Sequence, residues 1–449
     1  MYVVESFARH VVDWRGRALD PNVCHHAKRA VVDWYAALLA GAASAPATLL
    51  EQAFAAELGQ GPSRLALGQR TGPRLAALIN GTAAHTAEVD DIYREAIYHP
   101  GAPVIAAALA VAQAEGADGA AFLRAVIAGY EVSTRIGAAM GRAHYRYWHS
   151  TGTIGCFGAA AAAAELLRLD AARFAHALAT VATFAAGLQQ AFRMDSMSKP
   201  LHAGRAAEAG VTAAYAARHG VTGSLDVLEG EAGFGKAMGA GPDWTQALST
   251  LGSEFHITRM TFKNHACCGH TFAAIDGALA LKAELSISAP EIEEIQVDTY
   301  GPALEVAGCE APVTPAQARF SLKYVVATAL VHGSVRLVAF QPDRLQDEAT
   351  RALMQKIRLA VDPELDAAFP RQRAARVSFR LHDGRVASRL QPTRKGDPDA
   401  PLTDEDLDQK FLELAGAVLD VEASRALLQS LWRLESMATL DALVPCRRA

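Results

Sequence analysis

The chain has 449 residues, 51% of them hydrophobic, with 43 Lys and Arg against 48 Asp and Glu for a net charge of −5. Such a length exceeds what one hydrophobic core usually serves, so two domains are expected, with core enough to need no covalent staples. The basic residues are scattered rather than gathered into a stripe, which argues against nucleic acid as the partner and leaves a specific small anion compatible.

The longest apolar runs, such as 154–164, are too short for a bilayer, so no membrane segment is expected. No secretory signal is recognisable at the start. The six cysteines (Cys24, Cys156, Cys267, Cys268, Cys309 and Cys446) accordingly read as reduced thiols of a cytoplasmic protein.

From Met1 to about Ala240 the sequence is rich in Ala and Leu with apolar residues at three- and four-residue spacing, a helical texture. Helices are expected over 27–40, 73–85, 102–115, 119–142, 153–167, 171–185 and 205–219. After about Phe262 the period changes. Ile295, Val297 and Thr299 alternate with polar residues, and Val377, Phe379 and Leu381 lead into a His382-Asp383-Gly384 turn and a returning 385–390 stretch, the pattern of strands and a hairpin. Helices are expected between them at 319–330 and 344–359, and Thr403-Asp404-Glu405-Asp406 caps a further amphipathic helix. The fold class is therefore mainly α with an α+β second domain. A large all-helical domain spans 1–262 and is completed by C-terminal helices in 403–449, and a smaller α+β lid domain spans 263–402.

Three segments put a His or Lys just before a small-residue helical run: His99-Pro100-Gly101, His149-Ser150-Thr151-Gly152 and Lys199-Pro200-Leu201-His202. Helix N-termini carry unpaired N–H groups and partial positive charge, so added cations are favourable there only beside an anion. The three lie 50 residues apart, about two helices with their connections, which returns the chain to one end of a bundle each time. Glu88, Asp90 and Asp91 precede His99 and can orient it or raise its pKa; the same pattern also suits a solvated acidic loop with a capping His. His149 follows an aromatic stretch and precedes a small-residue turn, a place for a ligand or for a satisfied structural His. Lys199, His202 and Arg205 crowd one helix start, where either a substrate anion or the protein's own carboxylates would balance them.

Further along, Lys263 precedes two His and two Cys within 265–270. Adjacent Cys side chains seldom both reach one tetrahedral ion and the Cys-x-x-Cys spacing is absent, so no metal is expected, and Lys263 is the better candidate for binding a carboxylate. The 230–235 glycines lack a preceding strand and read as a loop rather than a dinucleotide fingerprint. Tyr324 lies on an expected helix, where an aromatic is either core or a phenol at a site.

Taken together these segments resemble the MmgE/PrpD family, which includes 2-methylcitrate dehydratases, cis-aconitate decarboxylases and iminodisuccinate epimerases. The resemblance is carried by Asn80-Gly81, His85, Asp90-Asp91, His99-Pro100, Trp148-His149, Lys199 to Gly204, Leu228 to Phe234, Phe262-Lys263, Ala318 to Tyr324 and Lys395 to Phe411, and so covers nearly the whole chain. It implies a cleft between a helical domain and a lid, no metal or organic cofactor, and a homodimer. The site it implies comprises Glu88, Asp90, Asp91, His99, His149 and Tyr324 as catalytic candidates, with Lys199, Lys263 and His202 binding substrate. The chain departs from the decarboxylase branch at Ile92, where that branch has Thr, and at Glu88, where it has Asp.

Loss of a proton next to a carboxylate needs cations aimed at the developing charge, a base and an acid, which this set contains. The expected function is a cofactor-independent hydro-lyase on a small hydroxylated di- or tricarboxylate, resembling 2-methylcitrate dehydratase. An epimerase or a decarboxylase in the same fold is the alternative, and a non-catalytic carboxylate-binding dimer a third.

Overall fold

The structure is a computed structural model and describes residues 1–18, 20–193 and 196–443; Cys446 lies outside them. The chain forms two compact units, residues 1–261 with 403–449 and residues 262–402. The change of unit falls between adjacent residues: the Thr261 N–H bonds Ile92 O in the first unit, and the Phe262 N–H bonds Gly396 O in the second. Phe262 thus belongs with the second unit.

The first unit is helical apart from a short antiparallel ladder of Ser63–Arg64 with Arg70–Thr71, which corrects the expected all-helical domain. Its long helices are α1 (Val3–Trp14), α2 (Pro21–Ala42), α3 (Pro73–Thr86), α4 (Gly101–Glu115), α5 (Gly119–Tyr145), α6 (Gly155–Leu166), α7 (Ala171–Ala182) and α8 (Ser198–Arg218). Both α4, from Gly101 to Ala112, and the whole of α6 are buried on every side, because runs of Ala and Gly leave no polar face and let neighbouring backbones approach closely. One such close crossing joins α3 to α8: a Cβ at Gly204 would lie 2.1 Å from Leu78 O, and one at Gly81 would lie 3.0 Å from Gly204 Cα. That contact fixes the ends of α3 and α8, which carry the polar residues described below.

Several expected helices change extent. The helix expected at 205–219 begins seven residues earlier, at Ser198, because Pro200 occupies the first turn, where its missing N–H is no loss. The helix expected at 153–167 is split, with a separate turn at Ser150–Thr153 before α6.

The C-terminal helices α9 (Asp404–Ala415) and α10 (Val421–Trp432) pack in the same unit. Thr403 and Asp406 form the capping box at the start of α9. Lys410 Nζ donates to Asp33 Oδ1 at 2.5 Å and to Val89 O at 2.6 Å, with both side chains buried, and Arg29 pairs with Asp404.

In the second unit β1 (Ile292–Thr299), β2 (Ile357–Val361), β3 (Ala375–Leu381) and β4 (Val386–Gln391) form one sheet in the order β2-β1-β3-β4. The β1–β2 pair is parallel, with Ile295 opposite Ile357, and the other two pairs are antiparallel, with Val297 opposite Val377 and Phe379 opposite Ala387. The helix expected at 344–359 is corrected: it ends at Met354 and 357–361 becomes β2. The helix expected at 319–330 is broken at Phe320 and restarts at Leu322, where the Ser321 hydroxyl caps the Tyr324 N–H.

The molecule thus pairs a large helical unit with a smaller α+β unit. Among the described residues no single helix is long and apolar enough to cross a membrane, and none of the described cysteines forms a disulfide.

Candidate active site

In the first unit the three segments set 50 residues apart converge on one cluster of side chains. His85, on the last turn of α3, and His99, just before α4, both approach one carboxylate oxygen: Asp90 Oδ2 lies 2.7 Å from His85 Nδ1 and 3.3 Å from His99 Nδ1. The two rings meet edge to face at 4.9 Å, and His149 stacks on His85 at 5.4 Å. His149 Nδ1 then faces His202 Nδ1 at 3.0 Å. Phe192 presses its ring against His149 at 4.7 Å and lies 5.1 Å beneath the Lys199 ammonium, which pairs with Glu88.

The loop that delivers the acidic residues is locally specified. Glu88 sits at φ 59°, Ile92 pairs with Thr261, and Tyr93 pairs with Tyr98 across a tight turn that needs Ile97 at φ 47°. This returns the chain to His99, whose backbone N–H reaches Thr151 Oγ1 at 3.3 Å.

The charges follow from the packing. Burial alone would raise the Asp90 carboxyl, yet the imidazoles of His85 and His99 hold it well below its usual value. Burial and then the charges of His85, Lys199, His202 and His99 push His149 well below the usual histidine value, so it is neutral at pH 7. Burial, His85 and Lys199 bring His202 down to about 4. Lys199 keeps its proton more firmly than an ordinary lysine, because Glu88 outweighs the effect of burial. Asp90 Oδ1 and His85 Nε2 are buried and make no hydrogen bond, so the cluster retains polar capacity for a ligand.

Not every expected residue joins the cluster. Asp91 turns away from Asp90: it accepts from the Gly101 N–H at 2.9 Å and the Tyr130 hydroxyl at 2.7 Å, and burial together with Asp33 lifts its pKa to about 8. It is therefore the protein's own cap on α4, and the expectation that this helix start offers its N–H groups to an outside anion is corrected at Gly101. The helix after His149 is a single turn. Lys199 meets a protein carboxylate, Glu88, as one of the two sequence readings had it.

Lys263 and Tyr324 belong to the second unit, where both are buried. The Tyr324 hydroxyl donates to Ala339 O and its ring faces Arg351. The neighbours of Lys263 disperse to separate partners: His265 to Asp276, Cys267 to Thr271 and His270 to Tyr300.

Sequence analysis names His85 as a carrier of the family resemblance and Thr151 within the His149 segment but places neither in the site, and it passes over Phe192. Apart from that resemblance a lone His on a small-residue helix reads as core, and its local signal is the five-residue step to Asp90, which brings a helix end back onto the following loop. Among the described residues, His85, Asp90 and His99 are donors close enough to share an ion, with ligand atoms within 4.8 Å of one another. The His85 hydrogen bond and the His99 ion-pair contact to one carboxylate oxygen already account for that spacing. A cavity of about 460 Å³ lined by Thr180, Thr183, Ser224, Asp226, Gly230 and Glu231 shares no residue with the cluster and includes the glycine loop.

Comparison with known families gives models of the MmgE/PrpD N-terminal domain over residues 5–247 and of the MmgE/PrpD C-terminal domain over 265–435. The chain belongs to the MmgE/PrpD family. Among curated MmgE/PrpD-like relatives it is 28% identical to the cis-aconitate decarboxylase-like protein oryM of Aspergillus oryzae, over 85% of this chain and 84% of that protein. It is 27% identical to human cis-aconitate decarboxylase, over 98% of this chain and 93% of that one. It is also 27% identical to the cis-aconitate decarboxylase of Aspergillus terreus, over 84% and 82%.

Proposed function

We propose that this MmgE/PrpD protein is a lyase acting on a small di- or tricarboxylate, which it dehydrates by removing a proton next to a carboxylate and expelling a hydroxyl from the adjacent carbon. One observation carries the reading: the buried Asp90 carboxylate is shared by His85 and His99, with neutral His149 stacked on His85. The Asp90 carboxylate 3.3 Å from His99 Nδ1 favours a proton on that nitrogen, which leaves Nε2 as the lone pair of His99.

His99 Nε2 takes the proton from carbon. The C–H electron pair becomes the new C=C, the C–O bond breaks, and the hydroxyl leaves as water with the Nε2 proton of His149. Lys199 exchanges Glu88 for a substrate carboxylate and steadies the enediolate-like charge.

The names of the relatives favour a second reading in the same site. There the bond from carbon to a carboxylate breaks, carbon dioxide leaves, and the electron pair left on carbon takes the His149 proton.

A proton NMR time course in D₂O with 2-methylcitrate, citrate, cis-aconitate and aspartate-derived dicarboxylates tests these readings. A vinylic signal growing from a hydroxylated substrate is the expected result. Release of carbon dioxide selects the second reading, and exchange of the α-proton without an alkene selects an epimerase. His149→Ala should lower kcat at least ~100-fold with an unchanged thermal transition, whereas Lys199→Ala should chiefly raise KM. Full activity in both variants would sink the assignment.

A further inference from the structure

His149 faces a problem of charge balance. Its ring is 2% exposed, and burial with His85, Lys199, His202 and His99 around it keeps it neutral. A neutral imidazole has one N–H, and giving that proton away from Nε2 leaves an imidazolate unless Nδ1 gains a proton in the same step.

The neighbouring ring offers one. His149 Nδ1 and His202 Nδ1 lie 3.0 Å apart, a hydrogen bond that exists only when one nitrogen carries a proton and the other does not. Two glycines hold the rings at this distance. A Cβ at Gly152 would lie 2.4 Å from Ala186 O and 3.1 Å from His202 Cβ, and one at Gly187, where φ is 131°, would lie 3.2 Å from His202 Nδ1. Gly187 O also accepts the His149 N–H at 2.9 Å, so the segment that carries one glycine anchors His149 as well. His202 is partly exposed, whereas His149 is closed off from solvent.

We propose that His202 is a positioning residue that decides which nitrogen of His149 carries the proton and relays protons between His149 and solvent. Its catalytic consequence rests on the lyase reading above; the hydrogen bond does not. In the relay His149 Nε2–H goes to the departing group, His202 Nδ1–H crosses to His149 Nδ1, and His202 Nε2 takes a proton from water. Both rings end neutral with their protons moved to the other nitrogen, and the net transfer is one proton from water to the departing group. Reversal resets the pair. The charged and titratable groups facing it are His85, His99, Lys199 and Glu88, the last through Lys199.

The test combines ring-nitrogen NMR of protein labelled with [¹⁵N]histidine and kinetics of His202→Asn, whose amide keeps a hydrogen-bonding atom near Nδ1 but passes no proton. In the unaltered protein one Nδ1 of the pair should be protonated and the other bare, with a scalar coupling across the N–H···N bond. His202→Asn should abolish that coupling and lower kcat about 100-fold with KM within about twofold, and added imidazole should restore part of the rate. The absence of coupling in the unaltered protein, or an unchanged kcat in His202→Asn, overturns the proposal. If the unaltered protein turns over none of the carboxylates, the lyase reading fails while the coupling measurement still decides the positioning role.

Discussion

Replacing Lys410 with Met removes the cation that faces Asp33 in the interior of the helical unit. The two side chains are 2% and 1% exposed and their charged atoms are 2.5 Å apart, so water cannot replace the lost ammonium. Removing one partner of such a pair costs about 3–5 kcal/mol, and the Val89 carbonyl that shares the ammonium adds roughly 1 kcal/mol when its donor goes. Lys28→Met is the control: Lys28 pairs with Glu435 on the same C-terminal segment, but at 14% and 44% exposure, where a pair contributes about 0–1 kcal/mol. Urea unfolding followed by circular dichroism measures both. The double variant Asp33→Leu/Lys410→Met should recover most of the loss, because apolar side chains replace a buried pair at little cost. A Lys410→Met penalty no larger than that of Lys28→Met, or a double variant as unstable as the single, would refute the argument. Val89 lies between Glu88 and Asp90, so Lys410→Met should also reduce turnover in molecules that remain folded.

Gly204→Ala would place a methyl 2.1 Å from Leu78 O and 2.2 Å from Thr82 Oγ1, forcing α3 and α8 apart. Since His85 rides on one helix and Lys199 and His202 on the other, activity should fall further than the unfolding midpoint does; equal activity with an unchanged midpoint would contradict the packing. Asp91 titrates at about 8 when folded and near 3.8 when unfolded, so between those values the folded chain holds a proton that the unfolded chain has released. Its contribution to stability is complete below about 4 and is lost as pH rises towards 8. Asp91→Asn should therefore flatten the fall in unfolding midpoint between pH 5 and pH 8, and an identical fall in the variant would show that Asp91 is not its source.

Much of the helical unit is legible in sequence because alanine-rich helices of similar length return at a regular interval, and the spacing of His99, His149 and Lys199 reports that interval directly. Other features are long-range and leave no local trace. The pairing of β2 with β1 joins residues some 60 positions apart, and five residues with mixed burial carry too little alternation to declare themselves a strand. Asp90 and Asp91 look like one acidic pair in sequence, yet their carboxylates take different partners across the fold: one meets the imidazoles, the other caps α4. His85 carries the resemblance yet is not placed in the site from sequence, since burial on a small-residue helix is the ordinary fate of a core residue.

The backbone of Glu88 has a further consequence. At φ 59° a non-glycine residue costs on the order of 1 kcal/mol relative to glycine, and this residue carries the carboxylate that meets Lys199. Stability and chemistry therefore pull this position in opposite directions. Engineering that rewards heat resistance alone would drift towards Gly or Asn here, and would discard the counter-ion of the site while every helix around it stayed in place.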